Sequence, residues 1–477
     1  MIYDTTNSRQ QTLFSRARSP LASLPGPWYS KWTGAVLHFH FIRGQRPPYV
    51  QRLHEKYGRI VRISPNQVDF SSVTAAKRIH SYTRPLRKGH MYHDLAGGGK
   101  FVNIFSTQDF EYHQRHRRLL SAPLSESGLK GVEHVVEERA KLAVQRIGEE
   151  MKSEGRADVM KWWLFFSADV IGELSFGNSF RMLERGSENQ YTLDLKMVSK
   201  LGGLRVAFPA LTRFASHVRL PILTEATAGS LRMRAYAQEC IQRYERIVAA
   251  DPTNPKPTLF TKLFRAGEEG MSQLEIVQDA QTYISAGSDT TAHGLTFLVW
   301  AVCRDEEVKR RLVEEVATLS EGYKDEDLKV LPYLDQVIHE ILRLYASVPA
   351  ALPRDAPSGG CEIDGCWMPE GTTVCTQAYS MHRDPIVFSE PGRFLPSRWE
   401  NATKEMTDAW MPFGGGARIC IGLHLAMMEL RHATATFFRA YPNAKVSYKD
   451  GFRDDDMEQV AYFLMYPKNK RCLVETS

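Results

Sequence analysis

Nowhere in the 477 residues is there a CxxC pair, a long Lys/Arg tract or a Pro/Gly/Ser-rich linker. Each absence excludes something. The seven cysteines are odd in number and lack zinc-ribbon spacing, which argues against a disulfide framework and for a reducing compartment. No apolar run reaches the roughly 18 residues of a spanning helix, and the largely polar first 20 residues hold no signal-peptide core. The basic excess, 61 against 55 acidic residues for a net +6, is too small and dispersed for a nucleic-acid footprint. With no linker to divide it, and with periodic segments from about Pro47 to Leu473, the chain reads as one large domain. Its 43% hydrophobic and 24% charged residues are those of a globular protein with a sizeable core.

The most informative stretch is Phe413 to Gly422, FGGGARICIG. It sets Cys420 in a glycine-rich turn behind Phe413 and beside Arg418, then runs into the apolar, helix-like LHLAMMELRHATATFF. A thiolate rather than a thiol binds metal, and cationic neighbours and helix N-termini favour it. Arg418 and a helix starting near Gly422 supply both, while the glycines let backbone amides approach the sulfur. On the residues alone two readings stand: a metal-ligating thiolate, or a buried cysteine packed in a turn.

A long helix is predicted from Ser272 to Arg304, opening on the capping-box pair Ser272 and Glu275. Inside it AGSDTT, Ala286 to Thr291, should open the helix groove locally. Gly287 and two threonines weaken it, and the Thr290 hydroxyl can bond the Ala286 carbonyl. Asp289 and Thr290 are adjacent and so face different ways; read alone, the motif is equally a kink in a buried helix. LPYLDQVIHEILRLY is amphipathic, and its Glu340 and Arg343 at i,i+3 can pair, ordinarily as a surface ion pair. In DFEYHQRHRRLLSAPLS, His113 and Arg117 share a helix face.

Further helices are predicted at Pro48 to Tyr57 and at about 129–152, 159–176 and 226–249. RIVRISPNQVDFSS alternates as two strands joined at Ser64-Pro65-Asn66, CEIDGCWMPEGTTV reads as a hairpin around Asp364-Gly365, and VAYFLMYP as one strand. The unpatterned stretch from Lys88 to Thr107, with Gly97, Gly98 and Gly99, is either a functional loop or plain surface.

FGGGARICIG resembles the haem-ligand signature of the cytochrome P-450 superfamily, F-x-x-G-x-R-x-C-x-G, with Phe413, Gly416, Arg418, Cys420 and Gly422 in register. AGSDTT is similar to the family's [AG]-G-x-[DE]-T-[TS], Glu340 to Arg343 to its E-x-x-R, and His113 with Arg117 to its H-x-x-x-R. FLPSRW is similar to F-x-P-x-R-W, with Ser397 where a glutamate is usual, and the resemblance covers about residues 20–474. It implies a mainly α fold with a smaller β region (α+β). Residues 1–20 would be a tail without the anchor of fungal microsomal members, and 21–477 one catalytic domain whose haem-binding half spans about 272–441.

The same resemblance implies haem b with Cys420 as its axial thiolate and Phe413 beside it. His113, Arg117, Arg354 and Arg418 would hold the propionates, which as carboxylates suit arginine forks and an imidazole donor. Ala286 and Gly287 would lie against the haem, and Asp289 and Thr290 would manage protons for oxygen chemistry. Arg398 would join Glu340 and Arg343 in a structural cluster, while Arg115 and Arg118 would point toward an acidic redox partner. The substrate would meet the loop after Lys88 and Val348 to Leu352. Phe463 and Leu464 either reach that pocket or pack in the core, and VAFPALTRFASHVRLPIL either touches a membrane surface or packs.

The implied activity is that of a haem-thiolate monooxygenase. One atom of O2 enters an apolar small molecule and the other leaves as water. Electrons come from NADPH through an NADPH-cytochrome reductase, with cytochrome b5 as a second donor. The implied setting is fungal secondary metabolism, as a monomer on the cytosolic side of the endoplasmic reticulum with peripheral membrane contact and no nucleic-acid partner. Two rivals remain: a reductant-independent isomerase or dehydratase, against which the intact Asp289-Thr290 pair argues, and a non-catalytic haem-binding sensor.

Overall fold

Helices supply the frame: α1 (Phe110–Ser121), α2 (Glu133–Glu154), α3 (Val159–Phe176), α4 (Gln273–Arg304), α5 (Pro332–Leu344) and α6 (Leu423–Ala440) in the computed structural model. It describes residues 19–95, 102–208, 212, 221–250, 258–259 and 271–476. Gly97, Gly98, Gly99 and Pro209 therefore lie outside the described residues.

α3 is apolar on nearly every side, VMKWWLFFSADVIGELSF, and is correspondingly buried along most of its length. α4 lies along it. At their contact a Cβ on Gly287 would sit 2.9 Å from Cγ1 of Ile171, so glycine permits this close approach. α4 begins with the expected capping box: the Ser272 hydroxyl accepts from Glu275 N–H and the Glu275 carboxylate accepts from Ser272 N–H at 2.8 Å. The expected opening at AGSDTT is not there, and α4 runs unbroken through it. The Thr290 hydroxyl bonds back to the Ala286 carbonyl at 2.6 Å, as the spacing predicts, while packing on α3 keeps the helix intact. α6 packs against α2 and α4.

The smaller β region is built on a five-stranded sheet: β1 (Ile60–Ser64), β2 (Gln67–Phe70), β3 (Arg87–Lys88), β4 (Arg354–Asp355) and β5 (Thr373–Cys375). Their order across the sheet is β1-β2-β5-β4-β3, with only the β2–β5 pair parallel. Register places Lys88 directly opposite Arg354. The Asp364-Gly365 hairpin forms as predicted, Cys361–Ile363 against Cys366–Met368, with positive φ at both turn residues. VAYFLMYP is not one strand. Gln459–Ala461 and Met465–Pro467 pair antiparallel, and Tyr462 to Leu464 make the bend. Among the described residues no helix is long and apolar enough to cross a membrane.

Glu340 and Arg343 of α5 are not a surface pair. Both are fully buried, joined by two hydrogen bonds of 2.8 Å. The Glu340 carboxylate also accepts from Arg398 Nε (3.0 Å), Trp399 Nε1 (2.9 Å) and the Leu395 N–H (2.9 Å), so its charge is fully hydrogen-bonded. Arg343 donates onward to the carbonyls of His382 and Pro391, each at 2.7 Å. The network is whole with Ser397 in its place, and the neighbouring Trp399 adds its indole N–H.

Candidate active site

The Cys420 loop is held from three directions. Within it, the Cys420 N–H donates to the Phe413 carbonyl at 2.9 Å, and a tight turn at Gly416–Arg418 follows from positive φ at Gly414 and Gly416. At Gly416 a Cβ would lie 1.3 Å from the His80 carbonyl oxygen, so no larger residue fits. From behind, the buried His382 donates through Nδ1 to the Arg343 carbonyl (2.8 Å) and accepts the Met411 N–H through Nε2 (2.8 Å). It thereby ties the loop to the α5 cluster. Burial pushes His382 down to about 3, so it is neutral at physiological pH. From α1, Arg117 Nη1 donates to the Ile419 carbonyl at 2.6 Å, and Arg418 donates to the carbonyls of Thr107 (3.1 Å) and Asp109 (3.3 Å) at the α1 N-terminus.

Cys420 keeps exposed surface although protein encloses its sulfur on most sides. Burial raises the thiol, opposed by a hydrogen bond from the Gly422 backbone and by the Arg117 charge. Tyr283, one turn before Ala286 on α4, is within electrostatic reach of both Cys420 and Arg117, so α4 faces the loop.

His113, Arg117, Arg354 and Arg418 come together, as the sequence suggested, and Lys88 joins them across the β3–β4 pair. Burial first, and then the other cations, lowers His113 to about 3 and Arg418 to about 10. Burial and the charges of Arg354 and Arg418 hold Lys88 well below its usual range. Among the described residues none of these five is ion-paired to a carboxylate. Nδ1 of His113 and Nε and Nη1 of Arg354 are buried without a hydrogen-bond partner, a costly arrangement unless an acceptor is bound. The donor set therefore fits a ligand carrying two carboxylates.

Asp289 and Thr290 diverge, and Asp289 is turned into a buried environment, not toward solvent. Thr290 is bound to the Ala286 carbonyl, and its own carbonyl accepts from Ser347 at 2.7 Å. Asp289 instead senses Lys196, Glu188 and Lys470, and burial pushes its carboxyl up to about 6. Ala286 presents exposed surface, whereas Gly287 lies against α3.

Comparison with known proteins decides the family. The family model for cytochrome P450 matches residues 25–473. The chain belongs to the cytochrome P450 family. It is 48% identical to the cytochrome P450 monooxygenase tazI of Aspergillus terreus over 96% of this chain and 94% of the relative. It is 39% identical to the cytochrome P450 monooxygenase orf2 of Aspergillus niger, over 97% and 94%. With stcB of Emericella nidulans, also a cytochrome P450 monooxygenase, identity is 33% over 96% and 88%. The protein is a P450 monooxygenase, an oxidoreductase whose family carries haem on a cysteine thiolate and works with a redox partner on a small-molecule substrate.

Several site residues of this P450 escaped the sequence reading. Lys88 did so because its register opposite Arg354 is set by residues 266 positions later in the chain. His382 carries no motif of its own, and Trp399, though part of FLPSRW, was not assigned a role. His116 is fully buried, Nδ1 2.7 Å from Asp279 and Nε2 3.2 Å from Glu275, while the other Asp279 oxygen accepts the Ile104 N–H at 2.8 Å. This network fastens α1 to α4 and to the segment leading into α1. Arg115 remains about half exposed while reaching Glu275 at 3.5 Å, beside the capping carboxylate of α4.

Proposed function

We propose that Cys420 is the axial thiolate of haem b and that His113, Arg117, Arg354 and Arg418, with Lys88, hold its two propionates. The observation that carries this reading is the gathering of four cations and a neutral imidazole, none ion-paired to a carboxylate among the described residues, beside the cysteine loop. Two carboxylates would neutralise half of that charge and give His113 and Arg354 the acceptors they lack. Phe413 would cover the thiolate side and Ala286 the oxygen side, while Gly287 is turned to α3 and lets α4 approach it closely.

When bound, haem supplies the activation and cleavage of O2, which thiolate ligation favours. The chain's residues do the rest. Asp289, with a carboxyl held up to about 6, gains and loses a proton near neutral pH, as a relay acid must. The Thr290 hydroxyl holds its place through the Ala286 carbonyl and passes protons on from Asp289 by way of water. Arg117 and Arg418 fix the cysteine loop through its neighbouring carbonyls, so thiolate position and propionate binding depend on the same side chains.

Electrons would come from NADPH through an NADPH-cytochrome reductase, with cytochrome b5 as a second donor. The enzyme would act as a monomer at the cytosolic face of the endoplasmic reticulum, on an apolar small molecule of fungal secondary metabolism. The relatives from Aspergillus and Emericella support that setting. The ferrous carbonyl complex tests the assignment: a red-shifted Soret band of thiolate type is expected, and an imidazole-type spectrum overturns it. Oxygen uptake with NADPH and reductase, yielding a hydroxylated product, tests the activity, and a screen that follows the haem spin shift finds the substrate.

A further inference from the structure

A second group of ligand-type side chains lies beside β3, apart from the cysteine loop. The short helix Met91–Leu95 follows His90 and sets His90, His93 and Asp94 at i, i+3 and i+4, on one face of one turn. Nε2 of His90 is 3.5 Å from Oδ1 of Asp94, and Nδ1 of His93 is 3.7 Å from the same oxygen. All three ligand atoms fall within 4.8 Å of one another. These separations are at or beyond the limit of a hydrogen bond. They approach the edge of a coordination tetrahedron, because bonds of about 2.0–2.1 Å to a central ion put neighbouring donors roughly 3.3 Å apart.

Two further observations point to a ligand. Nδ1 of His93 is shielded from solvent and has no hydrogen-bond partner. The His90 and His93 rings lie 4.9 Å apart at 24°, and the His90 side chain is 68% exposed. The base of the turn is fixed: Gly89 N–H donates to the Pro353 carbonyl at 3.0 Å and Tyr92 N–H to the Gly89 carbonyl at 3.2 Å. A second carboxylate is near, since Asp355 on β4 is within electrostatic reach of His90 and its Oδ1 would lie 3.4 Å from a Cβ on Gly89.

We propose that His90, His93 and Asp94 bind a divalent transition cation of the zinc type, with water in the fourth position. Two imidazoles and one carboxylate suit zinc, whereas magnesium and calcium require oxygen ligands throughout. Asp355 adds negative charge behind His90. The ion acts on the P450 site through Tyr92, which lies in the same turn: the buried Tyr92 ring supports the Lys88 ammonium at 4.1 Å. Clamping the turn holds Tyr92, and with it Lys88, in place.

The test uses the tag-free, haem-loaded enzyme titrated with Zn2+ alone by calorimetry and with Co2+ as an optical probe. One equivalent is expected, with the intense visible bands of four-coordinate cobalt, and binding at least ten-fold weaker in His93→Ala and in Asp94→Asn. His90→Gln, at an exposed position, should weaken binding likewise, and an unaltered ferrous carbonyl spectrum shows that each variant is folded. Absence of stoichiometric binding overturns the proposal. So does binding unchanged in all three variants, which would place the ion on other histidines, or displacement of zinc by a hundred-fold excess of Mg2+.

Discussion

Arg117 donates a 2.6 Å hydrogen bond to the carbonyl of Ile419, the residue immediately before Cys420. One guanidinium thus serves both the loop that carries the thiol and the cationic cluster beside it. A lysine offers a single ammonium and cannot hold a main-chain carbonyl and a carboxylate in the same fork geometry. Arg117→Lys should therefore lower haem retention several-fold, and Arg117→Ala should lower it further. Haem content per protein after gel filtration measures this, and wild-type retention in both variants would remove the assigned role.

The α5 cluster should set the stability of the holoenzyme. Replacing Glu340 by alanine leaves Arg343 and Arg398 as buried cations without their carboxylate, a loss of about 3–5 kcal/mol that should prevent accumulation of folded enzyme. Trp399→Phe removes one hydrogen bond to a charged group and should cost about 1.5–3 kcal/mol. A denaturation midpoint for Trp399→Phe equal to wild type would show that the indole N–H adds nothing.

Gly414 and Gly416 make a matched pair. Both have positive φ, but a Cβ on Gly414 meets nothing nearer than 3.4 Å while one on Gly416 would overlap the His80 carbonyl. Gly414→Ala should cost about 1–2 kcal/mol and keep a thiolate-type carbonyl spectrum. Gly416→Ala should lose it, because the loop must move.

His382 predicts an acid limit. Its folded-state pKa of about 3 lies below the ordinary 6.5, so the folded protein resists the proton that the unfolded chain accepts. Its contribution to stability is complete above pH 6.5 and is lost progressively as pH falls toward about 3. His382→Gln should flatten the fall of melting temperature between pH 6.5 and 4, and an unchanged slope would assign the acid sensitivity elsewhere.

Thr290→Ala should uncouple electron use from product formation, while Asp289→Asn should slow turnover and erase any inflection near pH 6. Product formed per NADPH consumed, measured across pH 5–8, separates the two effects. Unchanged coupling in Thr290→Ala would remove its role.

Motif and period made much of this legible in the sequence. The bounds of α3 follow from its apolar run, and the Ser272–Glu275 box announces the start of α4. Partnerships made by register or by burial did not show. Lys88 enters the site only because β3 pairs with β4, and His116 looks like one of several basic residues until two carboxylates of α4 are seen against it. The opening predicted at AGSDTT failed for a related reason. Local propensity favours it, but α4 is regular where Gly287 packs closely against Ile171 of α3. Trp399 stands in FLPSRW, but no rule of spacing says that its indole N–H takes the remaining lone pair of the buried Glu340 carboxylate.

The Lys88–Arg354 pairing bears on assembly of the enzyme as well as on its finished state. Like charges directly opposite in a β ladder repel. A dianion bound at this sheet edge would relieve that repulsion and serve as a counter-ion between the two strands. Propionate binding there would couple haem loading to the stability of the β3–β4 edge.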